Sequence, residues 1–254
     1  MPSPLDELAA QLEELRSDVD FIVLATQLRP RIGSVVLWQG QPEAVALVRR
    51  FMNSKANRPE GVFGPLLIRL LAAFERYLRQ LVGSIIDRRV STATRYEDIP
   101  PTLVKRNLIL TGKLLSGLET PRDHLNIDVD LLIENLVSCR RGSNAFRLNT
   151  QAFCAGIAGV SPANVERALE NVEVAGWWDA VGGYGALSRV LGTKGPRATG
   201  DRAHERLKEL SRWRNQLAHG GDGDIAIAET QLREAIEFVD LFGAALDAAV
   251  RKQL

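Results

Sequence analysis

The sequence is short of the residues that usually announce a chemistry. Among 254 residues there are two cysteines, Cys139 and Cys154, and three histidines. Two widely spaced thiols supply neither a disulfide framework nor a thiolate metal site, and both read as apolar fillers of a reduced protein. No stretch of ~18 apolar residues runs without a charge, which excludes a membrane-spanning helix and any role that depends on one. An excess of one charge is also missing. With 32 Lys+Arg against 31 Asp+Glu, the net charge is +1, so contact with a polyanion has to come from local patches rather than from the molecule as a whole. There is no repeat of 20–50 residues, and no alternating apolar/polar run long enough for a substantial sheet. The opening MPSPLDELAAQLEELRSDVD carries acids where a secretory signal needs a basic cluster and an apolar run, so a cytoplasmic location is expected.

What is present is the composition of a folded domain, 45% hydrophobic and 25% charged, with a mean hydropathy of −0.07. The apolar residues recur at helical spacing. Leu5, Leu8, Leu12, Leu15, Val19 and Ile22 make a seam too short for a confident coiled coil, so it is expected to pack on the body of the protein. Arg29 to Glu60 holds three prolines and two glycines and reads as a linker around a short helix near 42–52. From Pro65 to about Arg88 a strong helix carries Leu67, Leu70, Leu71, Phe74, Leu78, Leu81 and Ile85 on one face. Pro100-Pro101 opens the next helix; others are predicted at 128–139 and, after Ser161-Pro162, at 162–175. Residues 141–200 look irregular, and GTKGPRATG at 192–200 reads as a flexible basic loop, since it lacks the spacing of a phosphate-binding P-loop. Two long helices close the chain. One is capped by Asp201 and stops at Gly220-Gly221; the other follows GDGD with Leu232, Ile236, Val239, Phe242, Leu246 and Val250 inward. A short turn between them predicts antiparallel neighbours. The expectation is an all-α, up-and-down helical bundle, with an N-terminal helical extension over 1–62 and a helical domain over 63–254.

Histidine is the side chain that titrates near neutral pH, so only three positions compete for acid–base work. His124 lies in a polar turn and reads as a solvated loop residue, and His204 reads as decoration of a helix surface. His219 differs, because it ends the segment RNQLAH, Arg214 to His219, just before the double glycine. On a helix, Asn215 and His219 are four residues apart and share a face, so the amide can orient the imidazole; the long stem of Arg214 lets its guanidinium reach the same cleft. A guanidinium fork matches phosphate oxygens, and an imidazole moves a proton at neutral pH. Together they suit cleavage of RNA without metal or cofactor. The 2′-hydroxyl gives up its proton to histidine and attacks the adjacent phosphorus, while arginine stabilises the charge that develops. One histidine seldom serves as both base and acid, so two copies meeting across a two-fold axis are expected. The alternative left open by spacing alone is that His219 merely caps its helix end.

The RNQLAH segment, the glycines after it, the long last helix and the upstream FERYLRQLVGSIID helix together resemble HEPN-domain proteins over roughly residues 63–254. Among these the chain is most similar to the RiboL-PSP-like and MAE-type bacterial members. The resemblance implies a dimeric helical bundle that acts as a metal-independent endoribonuclease, commonly a toxin or a component of antiviral and abortive-infection systems, with an antitoxin or defence-system protein as a further partner. Carried onto this sequence, Arg214 and His219 are the catalytic pair and Asn215 supports them. Gly221 stands where nucleotidyltransferase-paired relatives often have tyrosine, so silencing by modification of that tyrosine is not expected. Arg206 and Arg212, beside the motif, and Lys105 and Arg106, in a second basic stretch, are candidate RNA contacts. Trp177 and Trp178 could stack on bases but are expected to pack in the core or an interface. Two rival readings are a silent HEPN scaffold that only dimerises or binds a partner, and a regulator that binds nucleic acid without cutting it. His219→Ala is expected to lower stability by only about 1 kcal/mol in thermal melts, through lost capping or dipole interaction at the helix end; a much larger loss marks the residue as structural.

Overall fold

Leu67, Leu70, Leu71, Phe74, Leu78, Leu81 and Ile85 are all buried, and the helix that carries them, α2 (Pro59–Thr92), is the centre around which the chain is arranged. The computed structural model describes residues 2–35, 59–117, 127–141, 146–219 and 226–253, and in them every regular element is helical. Before α2 comes α1 (Pro4–Val35); after it come α3 (Pro101–Ser116), α4 (Val129–Arg140), α5 (Thr150–Ala155) and α6 (Pro162–Asn171). Then follow α7 (Trp177–Gly182), α8 (Gly185–Val190), α9 (Pro196–His219) and α10 (Glu229–Arg251). The short helix expected near 42–52 lies outside the described residues.

The seam of α1 packs on the body. Leu8, Leu12, Leu15 and Val19 are buried in the same core as α2 and α10, where burial of a leucine is worth about 1.5–3 kcal/mol each. Charges then fix how α1 sits. Arg69 of α2 reaches Asp18 at 2.7 Å and Glu14 at 3.1 Å, Arg16 reaches Asp240 of α10 at 2.6 Å, and Arg233 reaches Asp20 at 2.6 Å. All are partly exposed, so they set register more than stability. α1 comes close to α10 at Gly243, where a methyl group would lie 2.8 Å from Leu8 Cδ2, and where the buried Tyr77 hydroxyl donates to the glycine carbonyl at 2.9 Å. That bond satisfies a phenol that would otherwise be orphaned in the core.

Several boundaries move from the sequence reading, each for a local reason. α1 continues past Pro30 and Gly33 to Val35, since one proline removes a ladder bond without having to end a helix. α2 starts six residues earlier than Pro65, at Pro59, so Pro65 lies inside the helix and costs it one ladder bond without ending it. α6 stops at Asn171 instead of continuing to 175. Glu173 and Gly176 turn left-handed, with φ of 60° and 63°, and Val172 and Val174 drop into the core. α9 begins at Pro196, so Asp201 lies inside it and caps nothing. The start is set by Gly195, with φ of 88°, and by Thr199, whose buried hydroxyl donates back to the Gly195 carbonyl at 2.9 Å. The segment 192–200 is therefore a tight turn and a helix start rather than a flexible loop.

The irregular-looking stretch 141–200 holds α5 to α8, and its Phe153, Ile157, Leu169, Trp177, Val181 and Leu187 belong to the main core. Ser161 caps α6 at Asn164 N, as the sequence predicts, and Asp128, expected as the first residue of its helix, instead caps α4 at Leu131 N. A buried polar knot ties α3 and α4 to the start of α5. Asn149 donates from its backbone to Asn107 at 2.8 Å and from its side chain to Thr111 and to the Leu132 carbonyl, each at 3.0 Å.

The last two helices do not lie against one another along their lengths. α7 packs on both of them. Its Trp177 and Trp178 stack at a centroid distance of 4.1 Å, reach Phe242 of α10 at 6.4 and 5.9 Å, and bring Trp178 to His204 of α9 at 5.5 Å. Two indoles are too bulky for α9 and α10 to close over, which is why a short connection does not make them direct neighbours. α9 itself is seated on Gly182, where a methyl group would lie 2.1 Å from the Pro196 carbonyl. Gly182→Ala is therefore expected to cost about 3 kcal/mol, because a backbone clash cannot relax cheaply. Gly185→Ala, which meets nothing within 4 Å, is the control and stays within about 0.5 kcal/mol of wild type in urea denaturation.

Candidate functional site

The rotation of α9 follows from its apolar residues. Leu207, Leu210 and Trp213 are buried, and Leu217, partly buried, fits against Gly64 of α2, where a methyl group would stand 3.0 Å from its Cδ2. Arg214 comes one residue after Trp213, about 100° further round the helix. That puts it half-buried at the edge facing α2. Its Nη1 donates to Asn215 Oδ1 at a long 3.4 Å, and among the described residues no carboxylate pairs with it. His219 is the last residue of α9, but its side chain lies outside the described residues, as do Gly220 and Gly221. What is visible of Asn215 is thus its amide oxygen turned to the guanidinium.

Arg214 forms part of the wall of a pocket of about 300 Å³ between α9, α2 and the α5–α6 connection. Ile68, Leu71, Ala72 and Val160 make it apolar on one side; Glu75, Arg76, Arg79 and the Gly159 backbone supply its polar groups. Positions 68, 72, 75 and 79 succeed each other at three- and four-residue steps, one stripe of α2. Glu75 is held at both oxygens. Oε1 accepts from Arg79 Nη2 at 2.5 Å, and Oε2 accepts from the Gly159 amide at 2.8 Å. Arg79 Nη2 also donates to the Ile157 carbonyl at 2.9 Å, while its buried Nε has no hydrogen-bond partner among the described residues. Arg76 is exposed and, among the described residues, makes no hydrogen bond or ion pair. Three guanidinium groups therefore meet one carboxylate, which is already committed to Arg79 and a backbone amide. Glu75, Arg76 and Arg79 are absent from the residues that the sequence brings forward. Their helical stripe is readable in FERYLRQ, but nothing in the sequence shows that it faces α9.

The remaining candidates are spread over the molecule. Arg212 is exposed on α9. Arg206 is not presented to solvent in the same way. Its side chain is 13% exposed, ion-paired to Glu209 at 2.6 Å and to Glu234 of α10 at 3.5 Å, and its guanidinium carbon sits 5.2 Å from the Trp213 ring centre. Those contacts fasten α9 to α10 and occupy the group. Lys105 and Arg106 are exposed on α3, which packs chiefly on α5 and α4 and is separate from the α2–α9 pocket. His124 falls outside the described residues, and His204 is engaged with Trp178. The tryptophans are packed rather than displayed, Trp177 being buried. Burial pushes the Cys154 thiol up to about 11, which makes it a poor nucleophile at neutral pH. Among the described residues, no cluster of His, Cys, Asp and Glu is arranged to hold a metal ion, and no helix is long and apolar enough to cross a membrane.

The family model described as RiboL-PSP-HEPN matches residues 53–252. The chain belongs to this family. The match takes in α2 through α10, so Arg214, His219 and the pocket all lie within the RiboL-PSP-HEPN domain, whereas α1 precedes it and shares its core. Membership points to a function of the nuclease or nucleotide-binding type. No curated protein and no solved structure matches the chain.

The doubly held carboxylate yields a direct test of the pocket wall. Glu75→Ala strands the Gly159 amide and the Arg79 guanidinium and is expected to lower stability by about 1–3 kcal/mol in urea denaturation. Glu75→Gln, which keeps an acceptor for the amide, recovers part of that loss.

Proposed function

We propose that the protein is a metal-independent endoribonuclease that uses Arg214 and His219 and acts as a homodimer. The observation that carries the reading is Arg214, a half-buried guanidinium with no carboxylate partner among the described residues, on a pocket wall five residues before the histidine that ends the same helix. A buried-edge cation left without a counter-charge is suited to a phosphate oxygen. Family membership supports the same reading.

In this mechanism His219 removes the proton from a ribose 2′-hydroxyl, whose oxygen attacks the adjacent phosphorus in line. The new O2′–P bond forms as the P–O5′ bond breaks. Arg214 stabilises the charge on the equatorial oxygens, Asn215 steadies the guanidinium, and the His219 of a second copy returns a proton to the departing 5′-oxygen. The products are a 2′,3′-cyclic phosphate and a 5′-hydroxyl. DNA, which has no 2′-hydroxyl, is not cut. A self-contained enzyme of this kind fits a toxin or an antiviral-defence component, held in check by a partner protein.

Labelled RNA incubated with purified protein in EDTA tests the proposal. Wild type is expected to release cyclic-phosphate ends, whereas His219→Ala and Arg214→Ala each lose activity by about 100-fold or more. Equal cleavage by all three proteins indicates a contaminant and sinks the assignment; RNA that is bound but never cut by wild type favours a non-cleaving nucleic-acid-binding protein.

A further inference from the structure

We infer that the α2–α9 pocket is a nucleotide subsite for single-stranded RNA, in which Arg76 grips the phosphodiester next to the one held by Arg214. The inference rests on the ribonuclease reading of Arg214 and extends it to a residue outside the RNQLAH motif and on another helix. Three features of the pocket carry it. First, Arg76 and Arg214 come from different helices to the same pocket, and neither has an ion-pair partner among the described residues. Like charges converging without a counter-ion oppose each other, and an anion between them removes the conflict. Second, the one carboxylate nearby cannot serve as that counter-ion, because both Glu75 oxygens are engaged by Arg79 and by the Gly159 amide. The same bonds brace the wall, and the buried Arg79 Nε, with no partner among the described residues, adds a donor to it. Third, Ile68, Leu71, Ala72 and Val160 offer an apolar surface beside these cations. A cavity of about 300 Å³ is at the small end of ligand sites, enough for one ribose and base but not for a base pair. Seating a base there requires it to be unstacked, which a single strand allows and a duplex resists.

The test uses a fluorescent oligoribonucleotide methylated at every 2′-oxygen, so that binding is read by anisotropy without cleavage, at several KCl concentrations between about 50 and 200 mM. For the single strand, Arg76→Ala is expected to weaken binding about 5–20-fold and to lower the slope of log K against log salt by about 0.7, the loss of one phosphate contact. Arg76→Lys keeps the slope but not the full affinity, since an ammonium preserves the charge without the fork. The same sequence annealed into a duplex binds more weakly and does not respond to Arg76→Ala. An Arg76→Ala protein with wild-type affinity and slope overturns the subsite, and so does a duplex that binds as well as the single strand. If a nucleoside monophosphate binds in an Arg76-dependent way while the oligonucleotide does not, the pocket serves free nucleotides and the RNA assignment fails. The two readings separate cleanly. Unmethylated RNA left intact by wild type, with Arg76-dependent binding retained, removes the nuclease and leaves the subsite; cleavage unaffected by Arg76→Ala, with unchanged binding, does the reverse.

Discussion

Burial of α2 is the constraint on which the rest of the structure depends. Phe63, Leu67, Leu70, Phe74, Leu78, Leu81, Val82 and Ile85 are all enclosed, and α1, α5, α9 and α10 gain their positions by covering them. A helix covered from so many directions has little freedom to turn about its axis, since any rotation would carry leucines to water at roughly 25 cal/mol per Å². Its polar stripe is therefore fixed as firmly as its apolar one. Arg69 is delivered to the acids of α1, while Glu75, Arg76 and Arg79 are delivered to the cleft under α9. The candidate site is in this sense a consequence of core packing.

The positioning of α9 shows the same logic from the other side. Its inner face is set by Leu207, Leu210 and Trp213, its start by the close approach of Pro196 to Gly182, and its distance from α10 by the stacked indoles of α7. Arg206 then closes the assembly with ion pairs to Glu209 and Glu234 and a face-on contact with Trp213. With these in place, Arg214 has one direction left, toward α2. Arg206 and Arg214, eight positions apart on one helix, acquire opposite uses because one meets carboxylates and an indole and the other, among the described residues, meets no carboxylate.

The stretch between Arg141 and Gly200 illustrates how a sequence can look like an insertion and still be core. Its helices are too short to show a period, and glycines punctuate them, so pattern reading finds little. Yet Trp177, Val181 and Leu187 are buried, and α7 packs on both long C-terminal helices, which it joins in the same core. A local signal did survive where a single side chain decides the outcome, as with Ser161 at its helix start, because a cap is satisfied within four residues of itself.

Sequence alone settled the all-α class, the placing of the long helices, the inward seam of α1 and the RNQLAH segment at the end of a helix, for each is a matter of residues within a turn or two of one another. Helix boundaries at Pro65, Asn171 and Asp201 escaped it, since strain, left-handed turns and core burial beyond the local pattern moved them. Only the tertiary structure could decide that α9 and α10 are parted by tryptophans, that Arg206 is consumed by ion pairs, and that Arg76 and Arg79 share a pocket with a residue some 135 positions downstream. The reason is physical. A period tells which side of a helix is apolar, but which other helix lies against a given stripe is fixed by how all the apolar faces are closed off together.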